Sequence, residues 1–324
     1  MERWYYAYIG LHVTSELPIP EWTVFEQDKP FNDTDVFIRL GCVQSQEPEG
    51  SLRPATTPYI TANEHRFHIP ESGDYWIRNG SEIIVTPAPD ASAREVRLFL
   101  LGSAWGTVCY QRGLLVLHSS VVQIGDYAVA FCGPTGSGKS TFAAWLVARG
   151  HRLIGDDLCH FEVANERVLV HPAAPRLKLW SDALTIMNWN RHELERDHFR
   201  ADKYHKNLTY LEKQSCHSLH SLYLLDWGEP DVTRLTGLSA LRGIVASATY
   251  RGELLEPMGR VAEHWQRCAE LARCVPVFRC TRPRDWSTMD AVMEQWIIHR
   301  SILLSIVMPE GEKWGISFQH AAVP

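Results

Sequence analysis

The sequence has no Cys-x-x-Cys pair, no long Lys/Arg block, no internal repeat and no signal-peptide pattern at its N-terminus. Each absence removes a class of protein. Eight cysteines lie scattered from Cys42 to Cys280, and without pairing motifs or a secretory signal they read as reduced thiols of a cytoplasmic protein. Cys268, Cys274 and Cys280 recur at a fixed interval beside His264, but that spacing fits no zinc motif, so no metal site is expected there. The net charge of −6 and the lack of a basic block argue against nucleic acid as the main ligand. The final apolar stretch, "SILLSIVM", is too short to cross a bilayer, so no membrane anchor is expected.

What is present suits a globular α/β chain. At 324 residues, 45% hydrophobic and 22% charged, it can bury a full core and carry a smaller second domain. Trp4 to Val13 reads as one strand, broken by the proline-spaced "ELPIPEW", and "VFIRLGCV" reads as another. In "YWIRNGSEIIV", Asn79-Gly80 separates two β-prone runs; both residues tolerate positive φ, so a hairpin is predicted. "TPAPDASA", Thr86 to Ala93, cannot continue a strand and marks a boundary, giving a β-rich N-terminal domain of residues 1–90 and a second domain of 91–324. One buried helix is predicted over Arg94 to Tyr110, then two strands joined at Gly125-Asp126. Further helices are predicted near Gly237–Tyr250, Arg260–Arg273 and Ser287–His299.

The chemistry starts at "CGPTGSGKST". Gly133, Gly138, Lys139 and Ser140 match the phosphate-loop pattern GxxxxGK[ST], in which backbone N–H groups face the phosphates, the lysine reaches β and γ oxygens and the hydroxyl holds Mg²⁺. The nucleotide-binding run is Gly133, Pro134, Thr135, Gly136, Ser137, Gly138, Lys139, Ser140 and Thr141. Gly136 and Gly138 let the chain turn without a Cβ meeting the anion, and the helix from Ser140 to Arg149 presents its positive end. Gly150 stops that helix, and a short return strand, "HRLIG", brings Asp156 and Asp157 back to the phosphate end, at the strand's carboxyl end where ligands of open α/β sheets collect. Two carboxylates there can divide labour: one holds Mg²⁺, directly or through water, and the other accepts a proton from an attacking hydroxyl.

At these residues the chain resembles the HPr kinase family and, more closely, the HPr-kinase-like proteins of lasso peptide biosynthesis. The likeness is most specific in "RGLLVLHSSVV", "GPTGSGKST" and "RGHRLIGDD", and weaker in "PRLKLW", "LYLL" and "FRCTRPRD"; "ELPIPEW" looks like the N-terminal segment of the lasso-associated group. The resemblance implies a phosphoenolpyruvate-carboxykinase-like phosphate-loop core and ATP-dependent phosphorylation of a serine hydroxyl. It places His118 near the active site, with Lys139 as the phosphate-loop lysine, Ser140 as a magnesium ligand, Asp157 as the proton acceptor and Asp156 as the metal-side partner. The chain departs from HPr-acting members at Ser119, where they have glycine, and at Thr141, where they have an acidic residue. Near "PRLKLW" their later magnesium-binding glutamate has no clear counterpart, although Asp182 is close by.

The expected activity is therefore an ATP- and Mg²⁺-dependent serine kinase whose partner is a peptide, the C-terminal serine of a lasso precursor. Arg176, Lys178 and Lys203 are the expected cations for the peptide's terminal carboxylate. Small-molecule kinase, HPr-type protein kinase and non-catalytic ATP-binding module stay open as alternatives, and so does assembly into a homo-oligomer. The basic span holding Arg191, His192, Arg196, Arg200, Lys203 and Lys206 reads as a solvated face or as a clamp for phosphates or an acidic peptide.

Overall fold

The computed structural model describes residues 2–41, 59–197, 202–208 and 215–285. Arg200, Cys42 and the predicted Ser287–His299 helix lie outside the described residues. Strands β1 (Trp4–Tyr8), β2 (Leu11–Ser15), β3 (Val36–Leu40), β4 (Tyr59–Ile60), β5 (Glu64–Ile69), β6 (Gly73–Arg78) and β7 (Glu82–Pro87) form one sheet in the order β1-β2-β3-β7-β6-β5-β4. The single strand expected over Trp4–Val13 is a hairpin, with Tyr8 opposite Leu11. Ile9 and Gly10 take φ of 47° and 86°, and the β-branched Ile9 is a residue rarely found there, so the apolar pattern runs through the turn and hides it. The hairpin at Asn79-Gly80 is present, with φ of 54° and 60° and Arg78 paired to Glu82.

Ser92 opens the next helix through a capping box: its hydroxyl accepts from the Glu95 N–H at 3.3 Å, and the Ser92 N–H donates to Glu95 Oε2 at 2.7 Å. The one helix predicted over Arg94–Tyr110 is α1 (Ala93–Phe99) and α2 (Trp105–Gln111) joined by a π-helical segment, Leu100–Ala104. Both pack on the first sheet, where Tyr8 stacks on Trp22 at 4.0 Å and Trp22 meets Trp105 edge-on at 4.9 Å.

The chain then builds β8 (Leu115–Ile124), β9 (Tyr127–Cys132), α3 (Lys139–Val147), β10 (Arg152–Ala164), β11 (Arg167–Val170), β12 (Arg176–Trp180), α4 (Ser181–Ile186), β13 (Glu195–Arg196), β14 (Lys203–Asn207), β15 (His217–Trp227), β16 (Asp231–Leu235), α5 (Gly237–Ala248), α6 (Val261–Cys274) and β17 (Val277–Arg282). The central sheet runs β11-β10-β8-β9-β15-β17-β16, and β11 also pairs with the start of β15. Strands β9, β15 and β17 are parallel, whereas β8, β10 and β16 are antiparallel to their neighbours. A small sheet, β12-β14-β13, lies beside it.

Strand β9 explains the layering. Ala128, Ala130 and Cys132 face a core with Ile244 of α5 and Cys268 of α6, while Val129 and Phe131 face Phe142 and Trp145 of α3. Both faces are buried, so the strand reads as a continuous apolar run. Cys268 and Cys280 belong to the cores on opposite faces of this sheet, which separates the evenly spaced cysteines. His264 Nε2 lies 2.9 Å from Thr249 Oγ1 and 3.5 Å from Cys268 Sγ.

Candidate active site

The glycine-rich loop follows β9 and feeds α3. Gly133, at φ 150°, has no room for a side chain: a Cβ there would stand 2.5 Å from Ser137 Oγ and 2.7 Å from the Leu225 carbonyl. Gly136 and Gly138 sit in the left-handed region at 86° and 84°, which glycine enters without strain. Lys139 is only 5% exposed, and its ammonium folds back onto the carbonyls of Gly133 and Pro134 at 2.7 and 3.1 Å. Burial lowers its pKa.

Asp156 and Asp157 lie in the middle of the 13-residue β10, not at the end of a short return strand. The strand continues because it pairs with β8 from Arg152↔Gln123 to Phe161↔Leu115, with a bulge between Leu153 and Gly155. Adjacent strand residues should point to opposite faces. Here both carboxylates reach Lys178: Asp156 Oδ2 accepts from its backbone N–H at 3.0 Å, and Asp157 Oδ2 pairs with its ammonium. The departure from alternation is at Asp157, whose φ is +79°, an unusual conformation for a residue with a side chain.

The two carboxylates have different surroundings. Asp156 Oδ1 accepts from Ser120 Oγ at 2.6 Å and from Ser140 Oγ at 2.9 Å, tying the loop's hydroxyl to the strand. Burial raises its pKa, against the pull of those donors. For Asp157, burial alone would act the same way, but the charge of Lys178 outweighs it and holds the carboxyl well below the usual range. His118 Nε2 lies 3.5 Å from Asp157 Oδ1. Burial, with the nearby Lys139 charge, lowers His118 to about 4, so its ring is neutral at pH 7 and Lys178 is the charged partner.

A cleft of about 370 Å³ lies beside these groups, lined by Gly136, Gly138, Lys139, Ser140, Thr141 and His118 on one side and by Lys178, Lys203, Trp180 and Asp182 on another; Asp156 and Asp157 sit behind Ser140, His118 and Lys178 and are not themselves among the lining residues. Lys178 and Lys203 thus join the loop, as expected. Arg176 does not line the cleft: it pairs with Glu21 at 3.5 Å, and Glu21 in turn binds Arg97 at 2.8 Å. Arg191, His192 and Arg196 are exposed and stand away from the cleft lining. Sequence reasoning missed Ser120, which bonds Asp156, and Trp180, Trp227 and Arg284, which also line the cleft. Ser120 was within reach, since it lies two residues from His118 and shares its strand face.

No protein-family model matches the chain. The HPr kinase/phosphorylase of Limosilactobacillus reuteri (strain DSM 20016) is 44% identical over 62 residues, 19% of this chain and 19% of that protein. The HPr kinase/phosphorylase of Treponema pallidum (strain Nichols) is 36% identical over 56 residues, 17% of this chain and 18% of that protein. The chain thus spans about a fifth of the length of the curated relatives it matches. Among solved structures, the Hpr(Ser) kinase/phosphatase from Coxiella burnetii aligns with 59% of this chain and 98% of its own, at 13% identity and a TM-score of 0.32, too slight a likeness to argue from. The chain carries a local HPr-kinase-like sequence within a mixed α/β fold. Among the described residues, no helix is long and apolar enough to cross a membrane.

Proposed function

We propose that this protein is an ATP- and Mg²⁺-dependent kinase that phosphorylates a serine hydroxyl on a peptide, the C-terminal serine of a lasso precursor being the acceptor. In this reading the central sheet is a phosphate-loop core of the HPr kinase and phosphoenolpyruvate-carboxykinase type, residues 91–324, preceded by a β-rich domain of residues 1–90. The observation that carries it is the juxtaposition at β10: Asp156 bonds the Ser140 hydroxyl of the glycine-rich loop at 2.9 Å, and the positive φ of Asp157 brings the second carboxylate to the same face.

The residues suit a triphosphate. Gly133 to Thr141 form a loop free of intruding side chains at the start of a helix, whose N-terminal end favours anions. Lys139 is a buried cation whose ammonium rests on the loop's own carbonyls, ready to move to β and γ oxygens. Ser140 and Asp156 would hold magnesium, which neutralises phosphate charge when bound. A site made of one hydroxyl and one carboxylate suits this ion, which keeps waters and substrate oxygens as its other ligands.

In the transfer, the acceptor oxygen bonds to the γ-phosphorus as the bond to the β–γ bridging oxygen breaks, releasing ADP. The hydroxyl proton passes to Asp157. Its low basicity suits a loose transition state, in which little proton transfer is needed before the phosphoryl group has moved. Neutral His118, 3.5 Å from Asp157, orients that carboxylate, and Lys178 and Lys203 offer charge to the acceptor's terminal carboxylate. Ser119 and Thr141, where HPr-acting proteins differ, weigh against HPr.

The test is incubation with ATP and Mg²⁺ of a precursor peptide ending in serine, the same peptide ending in alanine, and HPr, each analysed by mass spectrometry. Phosphate on the serine peptide alone is expected. Phosphate on HPr or on a free metabolite, with the serine peptide untouched, overturns the peptide reading.

A further inference from the structure

The loop pattern in the sequence contains one cation, Lys139, and the fold supplies a second. Arg282, at the end of β17, is 2% exposed. Its Nη2 donates to the Ser137 carbonyl at 3.0 Å, and its guanidinium lies 4.1 Å from the ring centroid of Trp227 and 5.9 Å from that of Phe142 in α3. Burying a charge is costly, so its place under this loop asks for a reason.

A loop that offers N–H groups to an anion must turn carbonyls away from it, and buried carbonyls need donors of their own. Lys139 meets those of Gly133 and Pro134, and Arg282 meets that of Ser137. The two cations differ in position, because Lys139 lines the cleft and Arg282 does not. All described peptide bonds are trans, so a Ser137 carbonyl turned to Arg282 directs the next N–H, that of Gly138, the opposite way. Gly138 lines the cleft.

We infer that Arg282 is a positioning residue of the glycine-rich loop: it fixes the Ser137–Gly138 peptide with its N–H towards the cleft and stays on the loop when Lys139 moves to the bound anion. Trp227 seats the planar guanidinium. This inference rests on the phosphate-binding reading above. It assigns the "FRCTRPRD" segment a task at the loop, through a planar guanidinium held over the Trp227 ring, a seating that a lysine cannot reproduce.

Calorimetric titration with inorganic pyrophosphate and with ATP, on wild type, Arg282→Met and Arg282→Lys, tests it. Arg282→Met should weaken both ligands by the same factor, about tenfold, the scale of a hydrogen bond to a charged group. Arg282→Lys should stay nearly as weak. With ATP turnover as a second readout, KM for ATP should rise in both variants while kcat stays within about threefold. If Arg282→Met does not fold by circular dichroism, Trp227→Leu serves instead and should show a smaller loss shared by both ligands. Wild-type affinity in Arg282→Met or Trp227→Leu, or full recovery in Arg282→Lys, overturns the inference while leaving the kinase reading intact. A wild type that binds neither pyrophosphate nor ATP overturns both.

Discussion

The two seven-stranded sheets treat buried polar groups in opposite ways. In the first, the buried polar side chains of the strands are hydroxyls and a histidine, and several meet a neutral neighbour: Tyr75 OH donates to the Val96 carbonyl at 2.9 Å, Tyr6 OH accepts from the Ile19 N–H at 2.9 Å, and His65 Nδ1 meets Thr107 Oγ1 at 2.7 Å. In the central sheet, Lys139 and Arg282 are 5% and 2% exposed, and Asp156 is held by three donors. A scaffold has no need of buried charge, which costs more in desolvation than pairing regularly returns. In the proposed reading, the charges gathered around one loop and one strand belong to the chemistry and the first sheet is its platform.

The sharpest break of this comparison is Lys139→Ala, which should lower phosphoryl transfer by about 10³ or more and weaken ATP binding, because the loop loses its mobile cation at the phosphates. Wild-type turnover and affinity by calorimetry would remove the phosphate-loop assignment. On the platform side, Trp22→Ala should cost about 3–5 kcal/mol of stability by urea denaturation and leave the affinity of the folded fraction for ATP unchanged. Smaller still is Asp156→Asn, whose loss of activity should shrink at high Mg²⁺ or Mn²⁺. If raised metal rescued Asp157 variants equally, the two carboxylates would not differ in role.

The smallest expected effect concerns acid stability. Burial lowers His65 to about 4, below the unfolded value of about 6.5. Protonation then favours the unfolded chain, so the contribution is complete above pH ~6.5 and is lost as pH falls towards about 4. The melting temperature should drop across that window, and His65→Asn should flatten the drop. A melting temperature that rose on acidification over the same range would contradict the assignment.

The glycine-rich loop, its helix, the strands either side of Gly125-Asp126 and the return to Asp156 were legible because local rules govern them: glycine at turns, apolar strands and a fixed rise per residue. The register of β10 against β8 was not, since a strand buried on both faces carries no alternation that says where it ends. Nor does sequence announce a left-handed Asp157, beside which both carboxylates meet Lys178. Arg176 reads as a twin of Lys178, two residues away on the same strand, yet Glu21 from the first sheet's side of the molecule pairs with it. Such pairings join distant segments, and a single sequence does not record them.

The most direct test of the account is a single-turnover comparison of wild type and Asp157→Asn with ATP, Mg²⁺ and a precursor peptide ending in serine, with ATP affinity measured in parallel. The account predicts phosphoserine from wild type, and from the variant an unchanged ATP affinity with transfer slowed by about 10² or more, the scale of a lost proton acceptor. Equal transfer rates in the two proteins, or ATP bound by wild type without phosphate ever reaching the serine, would contradict it.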